Sequence, residues 1–193
     1  MEKLDADYWS ERYENDQTGW DTDGITTPLR EYFDQLTDKK IKILIPGAGN
    51  AYEAGYLWEA GFSNVYILDW SEIPLRNFSE KYPEFPKDQL LNEDFFKTGG
   101  VYDLIIEQTF FCAFEPEKRG NYARKTADLL SKGGKLVGLL WNCEFESGPP
   151  FGGFEEEYRK TFSPFFTIDK MELCYNSIKP RTGRELFTIM RKP

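Results

Sequence analysis

Between residues 41 and 141, short apolar runs alternate with segments of helical spacing, and this alternation constrains the fold more than any other feature. The runs are predicted strands at 41–45, 64–69, 89–94, 103–107 and 135–141, of which 89–94 is the weakest. Such alternation predicts a largely parallel sheet with helices on both faces. The near-continuous apolar character of the runs also indicates strands that are buried on both sides.

The two ends of the chain complete this unit. Helical spacing predicts one helix within residues 5–16 and a second that starts at Thr27-Pro28, with Thr27 as N-cap and Pro28 in the first position. At the other end, residues 165–175 and 185–190 predict a closing hairpin. A length of 193 residues fits one domain, so we expect a single α/β domain over residues 1–193.

Charge and composition exclude several classes of function. The net charge is −9, and a negative protein repels phosphate backbones, so no nucleic acid partner is expected. No apolar stretch approaches about 18 residues, and the charged N-terminus lacks a signal-peptide hydrophobic region, so we expect no membrane association and a cytoplasmic location. The sequence leaves the oligomeric state open, and a monomer is compatible with it.

Histidine is absent and only three cysteines occur. A structural zinc site takes about four Cys or His ligands, so no metal site is expected. The usual Ser-His-Asp and Cys-His forms of catalysis are excluded for the same reason. Cys112 is not expected to be a nucleophile, because it lacks a histidine partner and has aromatic neighbours.

A glycine turn and an acid indicate a nucleoside cofactor. In open α/β sheets, ligands bind beyond the C-terminal ends of the strands. The first strand is followed by Gly47-Ala48-Gly49, where the lack of Cβ lets the backbone approach a ligand closely. Asp69 ends the second strand 22 positions after Gly47 (69 − 47). About 20 is the separation at which such an acid meets ribose hydroxyls.

The residues after the turn favour S-adenosylmethionine over NAD. A dinucleotide-binding fingerprint has a third glycine soon after the second, but the next glycine in this sequence is Gly55. Tyr52 and Glu53 lie near the helix start instead, and an acid there suits a cationic or zwitterionic ligand better than a pyrophosphate. An NAD-dependent oxidoreductase nevertheless stays open as an alternative.

Other residues are candidates for the same pocket, each with a structural alternative. Asp94-Phe95 could read the adenine, or could be a helix N-cap followed by a core ring. Trp9, Tyr13 and Trp20 could form an N-terminal lid that encloses the sulfonium through cation–π contacts. Alternatively, these three rings could belong to the hydrophobic core. After the fourth strand, Gln108 could bind the cofactor's amino-acid end or the substrate, and two rings could line an apolar pocket or be core, namely Phe110 and Phe111.

Together these segments resemble the thiopurine methyltransferase superfamily, and more closely its plant-type thiol/halide methyltransferase branch. The resemblance covers nearly the whole chain. Its segments are Tyr8-Trp9-Ser10-Glu11-Arg12-Tyr13, Gly19-Trp20-Asp21, Thr27-Pro28-Leu29, Leu44-Ile45-Pro46-Gly47-Ala48-Gly49, Leu68-Asp69-Trp70-Ser71, Glu93-Asp94-Phe95-Phe96, Phe110-Phe111-Cys112-Ala113-Phe114-Glu115-Pro116-Glu117 and Gly148-Pro149-Pro150-Phe151. The stretch after the fourth strand is the most specific of these.

The resemblance implies a Rossmann-like S-adenosylmethionine-dependent methyltransferase with a mostly parallel seven-stranded sheet and a C-terminal antiparallel hairpin, in which residues 1–38 form a helical lid. It implies cofactor contacts at Trp9, Tyr13, Trp20, Gly47, Asp69, Asp94, Phe95 and Gln108. The wider candidate set adds neighbours within the same motifs, namely Gly49, Trp70 and Glu107. Substrate positioning, without a classical base, is expected from Gln108, Phe110 and Phe111.

The chain departs from the family pattern at three positions. Tyr13 stands where Trp is common, Ala48 replaces a frequent Cys, and Gln108 stands where relatives carry Tyr or Arg. The expected reaction is direct SN2 methyl transfer to a small soft nucleophile, such as a thiol, thiocyanate, bisulfide or halide. The altered Gln108 also keeps open a non-catalytic protein that binds S-adenosylmethionine or a nucleotide.

Overall fold

The computed structural model describes residues 4–193 and contains a seven-stranded sheet in the order β3-β2-β1-β4-β5-β7-β6. The strands are β1 (Ile43–Pro46), β2 (Val65–Asp69), β3 (Leu90–Asn92), β4 (Tyr102–Gln108), β5 (Leu130–Trp141), β6 (Thr167–Leu173) and β7 (Glu185–Arg191). The helices are α1 (Ala6–Glu14), α2 (Thr27–Asp34), α3 (Tyr52–Glu59), α4 (Glu72–Lys81), α5 (Arg119–Leu129) and α6 (Glu155–Phe162).

The pairing confirms the predicted mostly parallel sheet with a closing hairpin. Strands β1 to β5 pair in parallel, whereas β7 is antiparallel to both β5 and β6. The chain runs outward from β1 to β3 and then returns to β4 on the other side of β1. A crevice is therefore expected beyond the C-terminal ends of β1 and β4, where the strand order reverses.

Alternate strand residues face two separate cores, which explains the predicted helices on both faces. Leu44 of β1 and Ile105 of β4 pack in a cluster with α5 and α6, which contribute Tyr122 and Tyr158. The neighbouring residues along each strand pack with the other helices, which contribute Leu29 of α2, Leu57 of α3 and Leu75 of α4. Successive side chains of a strand point to opposite faces, so apolar residues at consecutive positions bury both.

The start of α2 differs from the prediction. The N-cap is Thr26, not Thr27, and Pro28 is the second helical residue. The Thr26 side chain makes no capping hydrogen bond to the helix. Its hydroxyl instead donates to Gln108 Oε1 at 2.7 Å, so the Thr26 side chain contacts the end of β4 and not the N-terminus of its own helix.

Strand β5 begins earlier than the apolar run at 135–141 indicated. It starts at Leu130, directly after α5, and its pairing with β4 shifts register between Tyr102 and Leu104. Gly133 has a φ of +78° and its N–H donates to the Lys192 carbonyl at 2.9 Å. Gly133 therefore allows an irregular extension of the strand ahead of the apolar run.

Helix α1 lies outside the sheet and is anchored on the start of α4. Ser10 Oγ is 2.9 Å from Ser71 Oγ, and Ser71 is the N-cap of α4, directly after β2. This contact places α1 near the C-terminal edge of the sheet. Within residues 4–193, no helix is both long and apolar enough to cross a bilayer.

Candidate active site

The glycine turn after β1 adopts left-handed backbone conformations that explain its composition. Gly47 has a φ of +58° and Gly49 a φ of +52°, a region that glycine occupies without steric cost. A Cβ on Gly47 would lie 2.0 Å from Cδ2 of Phe110. The ring of Phe110 therefore packs directly on the turn, and no larger residue fits at position 47.

Asp69 fastens this turn to the end of β2. Its Oδ2 accepts a hydrogen bond from the Gly49 N–H at 3.0 Å, and its Oδ1 accepts one from the Ser71 N–H at 2.9 Å. Burial raises the pKa of this carboxyl to about 6, although the backbone donors oppose the shift. The acid thus lies beside the glycine turn, as its position at the strand end predicts.

The three N-terminal rings come together over the turn. Trp20 makes edge-to-face contacts with Trp9 and Tyr13, at centroid distances of 5.5 and 5.8 Å. The Tyr13 hydroxyl lies 3.0 Å from the position that a Cβ of Gly49 would take. Burial and the nearby Asp69 charge raise the pKa of Tyr13. These contacts place the aromatic cluster against the turn and its acid, where a nucleoside ligand would be enclosed.

A crevice opens at the C-terminal ends of β1 and β4, where the topology predicts it. Four of the predicted residues meet there: Trp20, Gly47, Gly49 and Gln108. The rest of the lining is Asp21, Thr22, Ile45, Pro46, Ala48, Asn50, Tyr52, Glu53, Ile106 and Thr109. The crevice therefore joins the N-terminal segment, the glycine turn and the β4 exit in one site.

The backbone at the end of β4 is held in an unusual conformation. Thr109 has a φ of +60°, which is a genuine outlier for a β-branched residue. Its hydroxyl donates to the Gln108 carbonyl at 2.7 Å, and the Gln108 side chain accepts from Thr26. Strain of this kind is characteristic of functional sites, because the surrounding structure must maintain it.

Glu107 lies in the core, behind the loop that follows β4. It is 1% exposed, and its Oε1 accepts from the N–H groups of Phe110 and Phe111 at 3.0 and 2.8 Å. Its Oε2 accepts from the Tyr122 hydroxyl at 2.6 Å. Burial raises the pKa of this carboxyl to about 7. The carboxylate therefore shapes the loop after β4 from inside the core and does not line the crevice; its contact with the cofactor stays a prediction.

Two predicted site rings also belong to the core. Phe95 is 3% exposed and stacks on Tyr122 with a centroid distance of 5.3 Å. Phe111 is 1% exposed and packs edge-to-face on Tyr158 at 5.6 Å. Their rings are held within the cluster under α5 and α6, and neither lines the crevice. Of the predicted phenylalanines, only Phe110 reaches the edge of the site.

Trp70 and Asp94 lie near the crevice without lining it. Trp70 follows β2 with 41% of its surface exposed, and its carbonyl accepts from Asn92 Nδ2 at 3.0 Å. Asp94 follows β3, and its Oδ1 accepts from the Phe96 N–H at 2.9 Å in a local turn.

Cys112 is buried, which raises the pKa of its thiol to about 12 and makes it a poor nucleophile.

Arg181, which was not among the predicted site residues, joins the N-terminal segment to the β6–β7 loop. This buried guanidinium donates through Nη2 to the Trp20 carbonyl at 2.8 Å and through Nη1 to Glu185 Oε1 at 3.2 Å. It also lies 5.2 Å from the centroid of the Trp141 ring. The sequence shows only a basic residue in a loop between two strands, so no local pattern indicates this role.

The donor set fits S-adenosylmethionine. A buried acid next to a glycine turn suits ribose hydroxyls, and clustered aromatic rings suit a sulfonium. Glu53 adds a carboxylate whose Oε1 has no hydrogen-bond partner among residues 4–193. Asp21 and Glu53 line the crevice beside the glycine turn and would repel a pyrophosphate there, so the crevice disfavours a dinucleotide.

Comparison with solved structures supports this fold. A Burkholderia thailandensis 1,6-didemethyltoxoflavin-N1-methyltransferase with bound S-adenosylhomocysteine superposes with a TM-score of 0.77 at 16% identity, over 97% of this chain and 86% of that one. A magnesium protoporphyrin IX methyltransferase from Synechocystis PCC 6803, with bound S-adenosylmethionine, gives a TM-score of 0.73 at 16% identity, over 97% and 95%. The fold is therefore that of Rossmann-like methyltransferases.

Sequence relatives define the family. A probable thiol methyltransferase 2 from Arabidopsis thaliana is 30% identical, over 92% of this chain and 81% of the relative. A thiopurine S-methyltransferase from Vibrio cholerae is 26% identical, over 82% and 81%. The family model for thiopurine S-methyltransferase matches residues 4–191. These matches decide against the NAD-dependent alternative: the chain belongs to the thiopurine S-methyltransferase family and is an S-adenosylmethionine-dependent methyltransferase.

Proposed function

We propose that this methyltransferase acts on a small soft nucleophile, such as a thiol, thiocyanate, bisulfide or halide. One observation carries the proposal. The polar side chains at the β4 end of the crevice are the amide of Gln108 and the hydroxyl of Thr109, and neither is a base. The chain has no histidine to take that role. An acceptor that needs no enzymic base therefore suits the β4 end of the crevice best.

Acceptor chemistry supports the same class. A thiol with an ordinary pKa of about 8.5 is a few per cent ionised at neutral pH, and halide and thiocyanate are anions already. A hydroxyl or amine acceptor would need a proton removed during the reaction, which is normally the work of a positioned base. The relatives named as thiol and thiocyanate methyltransferases agree with a soft acceptor.

Each group in the site then has a proposed role. When bound, S-adenosylmethionine would supply a methyl group on a positively charged sulfur. The lone pair of the acceptor would form the new bond to the methyl carbon as the carbon–sulfur bond breaks, and the electron pair of the broken bond would stay on the donor sulfur. Asp69 accepts from the ribose hydroxyls, and Asp94 at the end of β3 accepts from the adenine amino group. Gln108 orients the acceptor, which at best contributes several kcal/mol through alignment.

The N-terminal region, residues 1–38, is proposed to act as the lid of the site. Within its described part, Trp9, Tyr13 and Trp20 form the aromatic cluster over the glycine turn. Their ring faces would attract the sulfonium and exclude water from the reacting atoms. Removal of residues 1–22 is expected to weaken binding of S-adenosylhomocysteine without unfolding the sheet.

A methyl-transfer screen tests the acceptor class. The protein is incubated with S-adenosylmethionine and, in separate reactions, iodide, thiocyanate, bisulfide or thiophenol, with phenol and aniline as harder acceptors. S-adenosylhomocysteine and the methylated product are both quantified. We expect turnover with at least one soft acceptor and none with phenol or aniline. Binding of the cofactor without any product would favour the non-catalytic alternative, and turnover confined to phenol or aniline would overturn the proposal.

A further inference from the structure

Glu53 is a crevice residue for which the contacts described so far give no function. It lies in the first turn of α3, directly after the glycine turn, and is 6% exposed. Its side chain lines the crevice, yet no donor within residues 4–193 reaches its Oε1. A buried acceptor without a donor is destabilising, because it has lost its contact with water and gained no hydrogen bond in return. This oxygen therefore marks a position where a donor from a ligand would be stabilising.

Within residues 4–193, no close ion pair neutralises the charge of Glu53. Burial is the main reason that the pKa of this carboxyl rises to about 7; a hydrogen bond from its own backbone N–H and the charge of Arg181 lower the pKa, and Asp21 raises it. The Arg181 guanidinium already donates to Glu185 and to the Trp20 carbonyl. A cation that enters the crevice would thus meet a carboxylate with bonding capacity left.

S-adenosylmethionine offers two positive centres, and they differ in hydrogen bonding. The sulfonium sulfur carries no hydrogen, so it cannot satisfy an orphaned oxygen. The α-ammonium of the amino-acid tail carries three N–H donors, and charge-assisted hydrogen bonds to carboxylates are the strong ones. The ribose hydroxyls are donors too, but the proposed site already assigns them to Asp69, which lies beside the glycine turn.

We propose that Glu53 binds the α-ammonium group of S-adenosylmethionine. The amino-acid tail then lies beside the first turn of α3, and the adenosine extends from the glycine turn toward the ends of β2 and β3. This assignment rests on the cofactor site proposed above and is independent of the acceptor class. Glu53 therefore distinguishes ligands with an amino-acid tail from nucleosides without one.

The test compares two ligands that differ in the tail. S-adenosylhomocysteine keeps the ammonium group, whereas 5′-methylthioadenosine lacks the amino-acid tail. Calorimetric titration at pH 8 is expected to show that Glu53→Gln weakens S-adenosylhomocysteine binding at least tenfold and 5′-methylthioadenosine binding less than twofold. The control Glu80→Gln removes the same charge from an exposed position on α4 and should leave both affinities unchanged.

Other outcomes overturn the assignment. An equal loss for both ligands would mean that Glu53 shapes the nucleoside pocket, and an unchanged affinity for S-adenosylhomocysteine would mean that it makes no contact. If Glu53→Gln does not fold, Glu53→Asp keeps the charge on a shorter side chain, and the same selective loss is expected from it. A failed acceptor screen would leave these binding measurements intact, so the two proposals can fail separately.

Discussion

Thr26 donates a hydrogen bond to Gln108 Oε1 at 2.7 Å, and this bond joins the start of α2 to the end of β4 across 82 positions of sequence. Thr26 is 1% exposed, so no water can readily replace its hydroxyl. The bond fixes the direction of the Gln108 amide at the crevice. Replacement of Thr26 should therefore disturb Gln108 without a direct change to the lining of the site.

The Thr26→Val variant should lower kcat/KM for the acceptor about tenfold, because misplaced positioning groups carry penalties of this size or larger. The affinity for S-adenosylhomocysteine, measured by calorimetry, should stay within twofold of the wild type. Gln108→Ala should show the same separation. A matching loss of S-adenosylhomocysteine affinity in both variants would instead assign Gln108 to the cofactor.

Arg181→Lys should release the N-terminal segment from the β6–β7 loop. A lysine cannot keep both the Trp20 carbonyl and Glu185 with one compact charge. We expect several-fold weaker S-adenosylhomocysteine binding and faster cleavage in residues 15–24 by a protease specific for acidic residues. Glu185→Gln is the matched control, because it removes the ion pair but keeps the donor to Trp20. Equal cleavage of the two variants would argue that Arg181 does not hold the N-terminal segment against the β6–β7 loop.

Asp69→Ala should weaken S-adenosylhomocysteine binding at least tenfold, which corresponds to about 1.4 kcal/mol. The variant loses the proposed ribose acceptor and also the bonds that hold Gly49 and Ser71. Asp88→Ala, at an exposed acid before β3, provides the control and should bind normally. Calorimetry on both proteins checks the prediction, and an unchanged affinity in Asp69→Ala would remove this residue from the cofactor site.

The buried Glu107 should make stability depend on pH. Burial raises its pKa in the folded state from 4.5 to about 7, so between these values the folded protein binds more protons than the unfolded chain. The free energy of unfolding from this group is therefore greatest below pH 4.5 and falls as the pH rises to 7, by at most about 3 kcal/mol. Glu53 and Asp69 shift in the same direction.

Urea unfolding between pH 5 and 8 measures this dependence. At pH 5 the wild-type Glu107 is mostly protonated, so the neutral Glu107→Gln should lie within about 1 kcal/mol of it there: the amide oxygen can accept from the Phe110 and Phe111 N–H groups, and the Tyr122 hydroxyl can accept from the amide nitrogen. The unfolding free energy of Glu107→Gln should also fall less steeply with pH than that of the wild type. The exposed Glu117→Gln serves as the control and should keep the wild-type slope. An unchanged slope in Glu107→Gln would show that this carboxyl does not titrate as described.

Local patterns were sufficient to predict most of the fold. Consecutive apolar residues such as Ile43-Leu44-Ile45 indicate a strand buried on both faces, and the structure divides them between two cores. The same reasoning placed Gly47 and Asp69 at one edge, because the carboxyl ends of parallel strands meet there. It did not separate crevice from core among the residues after β4, where Glu107 and Phe111 turned inward.

The sequence by itself determined the order of strands and helices along the chain, the glycine turn with its acid, the lack of a histidine base and the family resemblance. Each of these is a property of residue type or short-range spacing. Only the tertiary structure decided which side chains face the crevice. That choice depends on backbone direction at single residues, as at Thr109 with its φ of +60°. It also depends on contacts such as Arg181 to Trp20, 161 positions apart, which no local pattern encodes because folding alone brings the two residues together.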